Sequence, residues 1–268
     1  MELEGKRVLL TGATGGLGQA IARQLAERGA RLVLSARREP ELEQLAGSLP
    51  GGARRHSVVV ADLATSGAAA KLISDAGALD ALVANAALPA SGKLDELSAT
   101  DVERALRVNL EAPILMAREL APGLARKGAG HIVLIASLAG KVGSPRASLY
   151  NATKFGLRGF AFGLREDMSA HGVGVSIVSP GFVRDAGMLH DSGSQAPPGV
   201  GTTTPKKVAK AVEKAIRRNK VEITVAPRRT RLISEIGYRH PGIAASVQRR
   251  AGADRIAGAV AEGQREKR

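Results

Sequence analysis

The chain reads as an α/β protein: one doubly wound domain in which a seven-stranded parallel sheet is flanked by helices. Two features of the 268-residue sequence lead there. Seven short runs rich in Val, Leu and Ile recur with helical stretches between them, and such near-continuous apolar runs suit parallel strands covered on both faces. The first run is followed by glycines and then by an amphipathic helix, the strand-turn-helix order of a nucleotide-binding unit.

The strands are expected at 7–10 (RVLL), 31–35 (RLVLS), 56–60 (HSVVV), 80–84 (DALVA), 131–137 (HIVLIAS), 173–179 (VGVSIVS) and 221–226 (VEITVA). Between the first two, GLGQAIARQLAERGA spaces Leu17, Ile21 and Leu25 by four residues and stops at Gly29, a helix C-terminal signal. A long helical pattern from about Asp101 to Lys127 is expected to kink at Pro113, which has no N–H to donate. The segment 185–205, rich in Gly, Ser, Pro and Thr, reads as a mobile loop between strand and helix. Residues 1–226 then form the catalytic unit. Residues 227–268 form a basic extension with two short helices, the first carrying Ile243 and Val247 at i, i+4.

Hydrophobic residues make up 44% of the chain but aromatics only 2%, with no Trp. The core must therefore rest on aliphatic side chains, and a stacking platform for single-stranded nucleic acid is not expected. The absence of cysteine excludes disulfides, iron–sulfur clusters and thiolate zinc sites, and the five histidines lack ligand spacing, so no metal site is assigned. The acidic start MELEG, and the lack of any apolar run near the about 20 residues of a membrane span, point to a soluble cytoplasmic protein. The net charge of +14 is concentrated late: residues 201–268 hold 17 Lys or Arg against 6 Asp or Glu. Such a tail could pack on its own domain or a second subunit, or meet anionic lipid or an acidic carrier; the order of the motifs does not suggest nucleic acid.

Ligands of doubly wound sheets bind beyond the carboxyl ends of the strands, so the residues after each run are the candidates. After the first strand, TGATGGLG supplies Gly12, Thr14, Gly15, Gly16, Leu17 and Gly18. Its glycines let backbone N–H groups approach a pyrophosphate at the start of the next helix. The second strand ends in Ser35 and Ala36, then Arg37 and Arg38. A carboxylate there would bind the ribose hydroxyls of NAD(H), whereas guanidinium groups suit the added phosphate of NADP(H); NADP(H) is favoured, with NAD(H) the alternative. Asp62, followed by Leu63, is placed to hold the adenine amino group or to cap its own turn.

The stretch SLYNATKFGLRGF sets Tyr150 and Lys154 on one helix face at i, i+4. A neighbouring ammonium favours the phenolate, and a phenol lowered towards working pH is an effective general acid or base. Ser137, at the carboxyl end of the fifth strand, could hydrogen-bond both a substrate oxygen and the phenol.

With these residues in this order, the chain resembles the short-chain dehydrogenase/reductase family over about residues 5–225. The family's glycine motif is met by Thr11, Gly12, Gly16 and Gly18, and its Asn-Ala motif by Asn85 and Ala86, with Ala87 where glycine is usual. Its Pro-Gly segment is met by Pro180, Gly181 and Val183, and its four catalytic positions fall on Asn109, Ser137, Tyr150 and Lys154. The resemblance implies a Rossmann-like fold and hydride transfer between a nicotinamide and a small-molecule carbonyl or secondary alcohol, in a homodimer or homotetramer. It implies Tyr150 as general acid/base, Lys154 also on the nicotinamide ribose, and Asn109 holding a water that links the lysine to solvent. It places Pro180, Gly181 and Val183 at the carboxamide. The four intact positions argue against a non-catalytic NADP(H)-binding regulator. Asp185 stands where relatives often have Thr, and beside cofactor phosphates it would repel unless Arg184 offsets it.

Overall fold

The computed structural model describes residues 1–193, 196, 200–250 and 252–265. In chain order its elements begin β1 (Arg7–Thr11), α1 (Gly16–Ala26), β2 (Arg31–Ala36), α2 (Glu39–Ser48), β3 (Ser57–Val60), α3 (Ala68–Ala76) and β4 (Ala81–Ala84). They continue α4 (Ala99–Leu106), α5 (Ala112–Lys127), β5 (Gly130–Ile135), α6 (Ser148–Ser169) and β6 (Val173–Pro180). The last are α7 (Met188–Asp191), α8 (Pro205–Arg218), β7 (Glu222–Val225), α9 (Arg228–Arg239), α10 (Pro241–Arg250) and α11 (Ala253–Gly263).

The seven strands are parallel, as the apolar runs predict, and lie in the order β3-β2-β1-β4-β5-β6-β7. The order reverses between β1 and β4, which opens a crevice at their carboxyl ends. Strand pleating divides the aliphatic runs between two cores. Val8 and Leu10, Ala81 and Val83, and Val133 and Ile135 pack with residues of α1, α2 and α8. Leu9, Leu82, Ile132 and Leu134 pack with residues of α3, α5 and α6. Each fully buried Val, Leu or Ile contributes roughly 1.5–3 kcal/mol, so covering both faces fixes the layers without aromatic residues.

The long pattern from 101 to 127 is not one helix kinked at Pro113. Ser98 caps α4 by accepting from the Asp101 N–H at 3.1 Å, and a wide π turn at Arg107–Glu111 joins α4 to α5. The Ala112 N–H reaches back five residues to the Arg107 carbonyl, and Pro113 then falls in the first turn of α5, where no donor is needed. The interruption lies before the proline rather than at it.

The reading of 185–205 as a mobile loop falls partly outside the described residues, at 194, 195 and 197–199. Its described parts hold α7 and a bridge that closes the loop's base. There the Thr203 N–H donates to the Phe182 carbonyl at 2.8 Å and the Arg184 N–H to the Thr203 carbonyl at 2.9 Å.

Beyond β7 the described residues form three helices rather than two, the unexpected one being α9. Its inward residues are Thr230, Ser234 and Gly237, so no apolar stripe points to the body of the protein and the periodicity gives no hint of burial. These helices fold back over the carboxyl end of the sheet. Gln248 of α10 donates to the Gly143 carbonyl at 2.9 Å, Arg146 holds Asp254 of α11 through two bonds of 2.9 Å, and Gln264 donates to the Met188 carbonyl at 3.2 Å. No helix among the described residues is long and apolar enough to cross a membrane.

Candidate active site

At the end of β1, Gly12 turns the chain at φ +64°, and a Cβ there would lie 2.9 Å from the Ala86 Cα. A Cβ on Gly18 would lie 2.1 Å from the Gly12 carbonyl, so the turn closes only without side chains. Gly15 and Gly16 are exposed, and Gly15 provides no side-chain cap for α1. The first N–H groups of α1 are thus open to an anion. Thr14 lies beside them, its carbonyl accepting from Gln19 Nε2 at 2.9 Å, and Leu17 packs on the core behind. Exposed donors and room made by glycine fit a pyrophosphate.

Arg37 and Arg38 stand exposed beyond β2. Arg38 pairs with Glu41, while Arg37 takes no carboxylate partner among the described residues. Asp62 is exposed and caps its own turn, its Oδ1 accepting from the Ala64 N–H at 3.0 Å, and Leu63 beside it is buried.

Two asparagines expected at the cofactor cleft are engaged with the scaffold. Asn85 Nδ2 donates to the carbonyls of Thr11 at 3.0 Å and Gly12 at 3.2 Å, while Thr11 Oγ1 accepts from the Asn85 and Ala86 N–H groups at 3.1 Å each. The ends of β1 and β4 are locked together, and Ala87 sits next to them at an ordinary negative φ. Asn109 is buried in the π turn; its Oδ1 accepts from the Leu88 N–H at 2.7 Å and its Nδ2 donates to the Leu88 carbonyl at 2.9 Å.

After β6, which ends at buried Pro180, the Gly181 N–H donates to the Val225 carbonyl at 3.0 Å and Val183 forms the bridge to Thr203. Arg184 Nε lies 3.3 Å from Asp185 Oδ2, the neutralising contact that an acid at this place requires. Asp185 adopts φ +66°, a left-handed conformation unusual for a residue with a side chain. This turns the next residue onto α1, so that a Cβ on Gly16 would lie 2.6 Å from the Ala186 Cβ.

Ser137, Tyr150 and Lys154 come together beyond β5. The Ser137 hydroxyl accepts from the Ala139 N–H at 3.1 Å and is close enough to the Tyr150 phenol to act on its ionisation. Lys154 is buried, with Nζ donating to the Ile135 carbonyl at 3.1 Å and lying 5.6 Å from the centre of the Tyr150 ring. Burial pushes the phenol up to about 12, with the Ser137 hydroxyl opposing, and pushes the Lys154 ammonium down to about 8. The lowering of the phenol expected from the ammonium is not found. Both groups have lost water, and the ammonium is turned onto a carbonyl rather than onto the phenol oxygen.

Sequence reasoning passed over two residues that set this geometry. Asn151 donates to the carbonyls of Ala139 at 2.6 Å and Val142 at 2.9 Å and accepts from the Ser144 N–H at 3.2 Å, fastening the segment after Ser137 to α6. Gly140 lies against Lys154, whose carbonyl would be 2.6 Å from any Cβ at 140. A usable signal for the first was an asparagine inside a helix directly after the tyrosine, a residue type that favours local backbone bonds over helix interiors.

The short chain dehydrogenase family profile matches residues 6–197. The ketoacyl reductase HetN of Nostoc sp. is 36% identical over 227 residues, covering 83% of this chain and 79% of that protein. The 3-oxoacyl-(acyl-carrier-protein) reductase FabG of Rickettsia prowazekii is 32% identical over 184 residues, covering 69% of this chain and 75% of that protein. Among solved structures, a short-chain dehydrogenase from Sphingobium yanoikuyae in complex with NADPH superposes with a TM-score of 0.77 at 26% identity, covering 89% of this chain and 95% of that one. Profile, relatives and sheet order agree, and the chain belongs to the short-chain dehydrogenase/reductase family of oxidoreductases.

Proposed function

We propose that the protein is an NADP(H)-dependent carbonyl reductase, with ketoacyl thioesters as its leading substrate class. The observation that carries this reading is the cluster of Ser137, Tyr150 and Lys154 beyond β5, on the same end of the sheet as the glycine turn. The substrate class is supported by what the relatives are called, ketoacyl reductase and 3-oxoacyl-(acyl-carrier-protein) reductase. The cofactor is supported by the NADPH bound in the similar structure and by the exposed Arg37, which has no carboxylate partner among the described residues.

In this reading Gly12, Thr14, Gly15, Gly16, Leu17 and Gly18 hold the pyrophosphate, Arg37 and Arg38 the 2′-phosphate, and Asp62 and Leu63 the adenine. Asn85 and Ala86 line the cleft, and Pro180, Gly181 and Val183 meet the carboxamide. Residues 1–226 form the catalytic unit and 227–268 the extension, in a cytoplasmic homodimer or homotetramer.

NADPH, when bound, supplies the hydride that reaches the carbonyl carbon. Tyr150 gives its phenolic proton to the carbonyl oxygen, so that the C=O double bond becomes a secondary alcohol, and Ser137 steadies that oxygen by hydrogen bonding. A phenol held near 12 is protonated at neutral pH, the state a general acid needs. Lys154, near 8, exchanges protons readily at neutral pH and is the group that restores the phenol. Asn109, whose side chain is bound to the Leu88 backbone on both sides, holds the water that links Lys154 to solvent.

The test is a fluorescence titration of NADPH and NADH into the purified wild-type protein and Arg37→Ala, followed by NADPH consumption with an acetoacetyl thioester. The expected result is NADPH binding weakened about tenfold or more in the variant with NADH unaffected, as loss of a charged hydrogen bond predicts. Equal losses for both nucleotides would remove Arg37 from phosphate recognition. NADPH binding without turnover of the thioester would remove the substrate class.

A further inference from the structure

Helix α9 is built inside out. Towards the protein it turns Thr230, Ser234 and Gly237, spaced i, i+4, i+7 and all buried. Towards solvent it turns Leu232, Ile233 and Ile236, which are 63%, 52% and 46% exposed. On α10, Ile243 and Val247 are 59% and 58% exposed. Single exposed aliphatic residues are ordinary, but five on two consecutive helices, with the inner contact left to small residues, mark a surface made to be covered. The small residues bring α9 close to its support, since a Cβ on Gly237 would lie 3.2 Å from both Val142 and Ala244.

Charge indicates what covers it. From 228 to 250 the chain carries six arginines and one glutamate, and Arg228, Arg229 and Arg231 have no carboxylate partner among the described residues. Between α8 and α9 lies a cavity of about 400 Å³ lined by Lys207, Lys210, Lys214 and Arg231, with no acidic residue in its wall. The three lysines recur at i, i+3, i+7 and so share one face of α8.

We propose that α9, α10 and the lysine-lined cavity form a docking surface for an anionic lipid bilayer, with the aliphatic row entering the headgroup region and the cavity holding a lipid phosphate. A second copy of the chain would also offer an apolar surface. A two-fold contact through α9, however, sets the arginines of one copy against those of the other, in a chain of net charge +14. An anionic bilayer complements the aliphatic and the cationic parts together. The same helices contact Val142 and Gly143, in the segment that joins Ser137 to Tyr150, so the docked bilayer lies about one helix diameter, roughly 10 Å, from that segment.

The test is co-sedimentation of the full chain with vesicles of phosphatidylcholine alone and of phosphatidylcholine mixed equally with phosphatidylglycerol. It is run for the wild type, for Leu232→Ser with Ile236→Ser, and for Lys207→Glu with Lys210→Glu, each checked for wild-type circular dichroism. The expected result is binding to the anionic vesicles only, reversed by high salt, and weakened at least tenfold in either variant. Absence of binding to anionic vesicles, or equal binding by all three proteins, overturns the proposal. So does sedimentation velocity showing a dimer that Leu232→Ser with Ile236→Ser dissociates, which assigns the face to a second copy. Loss of vesicle binding in neither variant, with loss of affinity for an acidic carrier protein in both, assigns it to that partner and likewise overturns the bilayer.

Discussion

Helices α6 and α9 each carry one of the chain's two tyrosines and meet where Arg158 lies over Tyr238, yet they treat their aliphatic residues in opposite ways. Arg158 of α6 is 5.1 Å from the ring of Tyr238 on α9 and 3.0 Å from Glu222 at the sheet edge. On its inner face α6 places Leu157, 1% exposed, with Ala161 and Met168, and these join the core under the sheet. On its inner face α9 places a threonine, a serine and a glycine, and its leucine and isoleucines face outward. The difference teaches that an apolar helix face marks the neighbour it was shaped for. For α6 that neighbour is the sheet, which fixes Tyr150 and Lys154 over β5; for α9 no described residue of the chain covers the aliphatic row.

The largest expected effect tests whether α6 is a reacting element at all. Tyr150→Phe should lower turnover by about 10²–10⁴-fold while NADPH binding stays measurable. Steady-state rates within a few-fold of wild type would end the general-acid assignment and leave α6 as framework only. Next comes a direct test of the two helix faces. Leu157→Ala should cost about 2–5 kcal/mol in urea unfolding, while Leu232→Ala should change stability by less than about 0.5 kcal/mol. Similar costs at the two positions would mean that α9 buries its aliphatic row in this chain after all.

Acid should weaken the sheet that α6 covers. His131 of β5 is buried, its Nε2 is 2.8 Å from Ser176 Oγ, and burial pushes its pKa down to about 3. The ring stays neutral in the folded protein but takes a proton near 6.5 once unfolded. Its contribution is therefore complete above pH 6.5 and is lost as the pH falls towards 3, on the order of a few kcal/mol. Stability measured from pH 7 to pH 4 should decline less steeply in His131→Asn than in wild type. The smallest effect concerns the joint between the helices. Tyr238→Phe keeps the ring beside Arg158 and removes only the hydroxyl, which should cost about 1 kcal/mol or less. Amide exchange should then quicken in α9 but not in α6; uniform quickening would mean the helices open as one unit.

The sequence by itself determined the sheet, its helical cover and the spacing of the candidate site residues. Strand pleating and helical periodicity are local, so runs such as RVLL and HIVLIAS disclose themselves without knowledge of their partners, and a glycine that permits a close backbone approach shows in the sequence as surely as in the fold. The same locality set the spacing of Tyr150 and Lys154. Only the tertiary structure decided where their charges point and how much water surrounds them, and so gave a phenol near 12 beside a lysine near 8 instead of a lowered phenol. It also decided that Asn85 and Asn109 fasten the backbone, that Asn151 holds the segment after Ser137, and that α9 faces its leucine and isoleucines outward. Desolvation and hydrogen-bond direction depend on neighbours far along the chain, and periodicity reports that a helix has two faces without saying which one meets the protein.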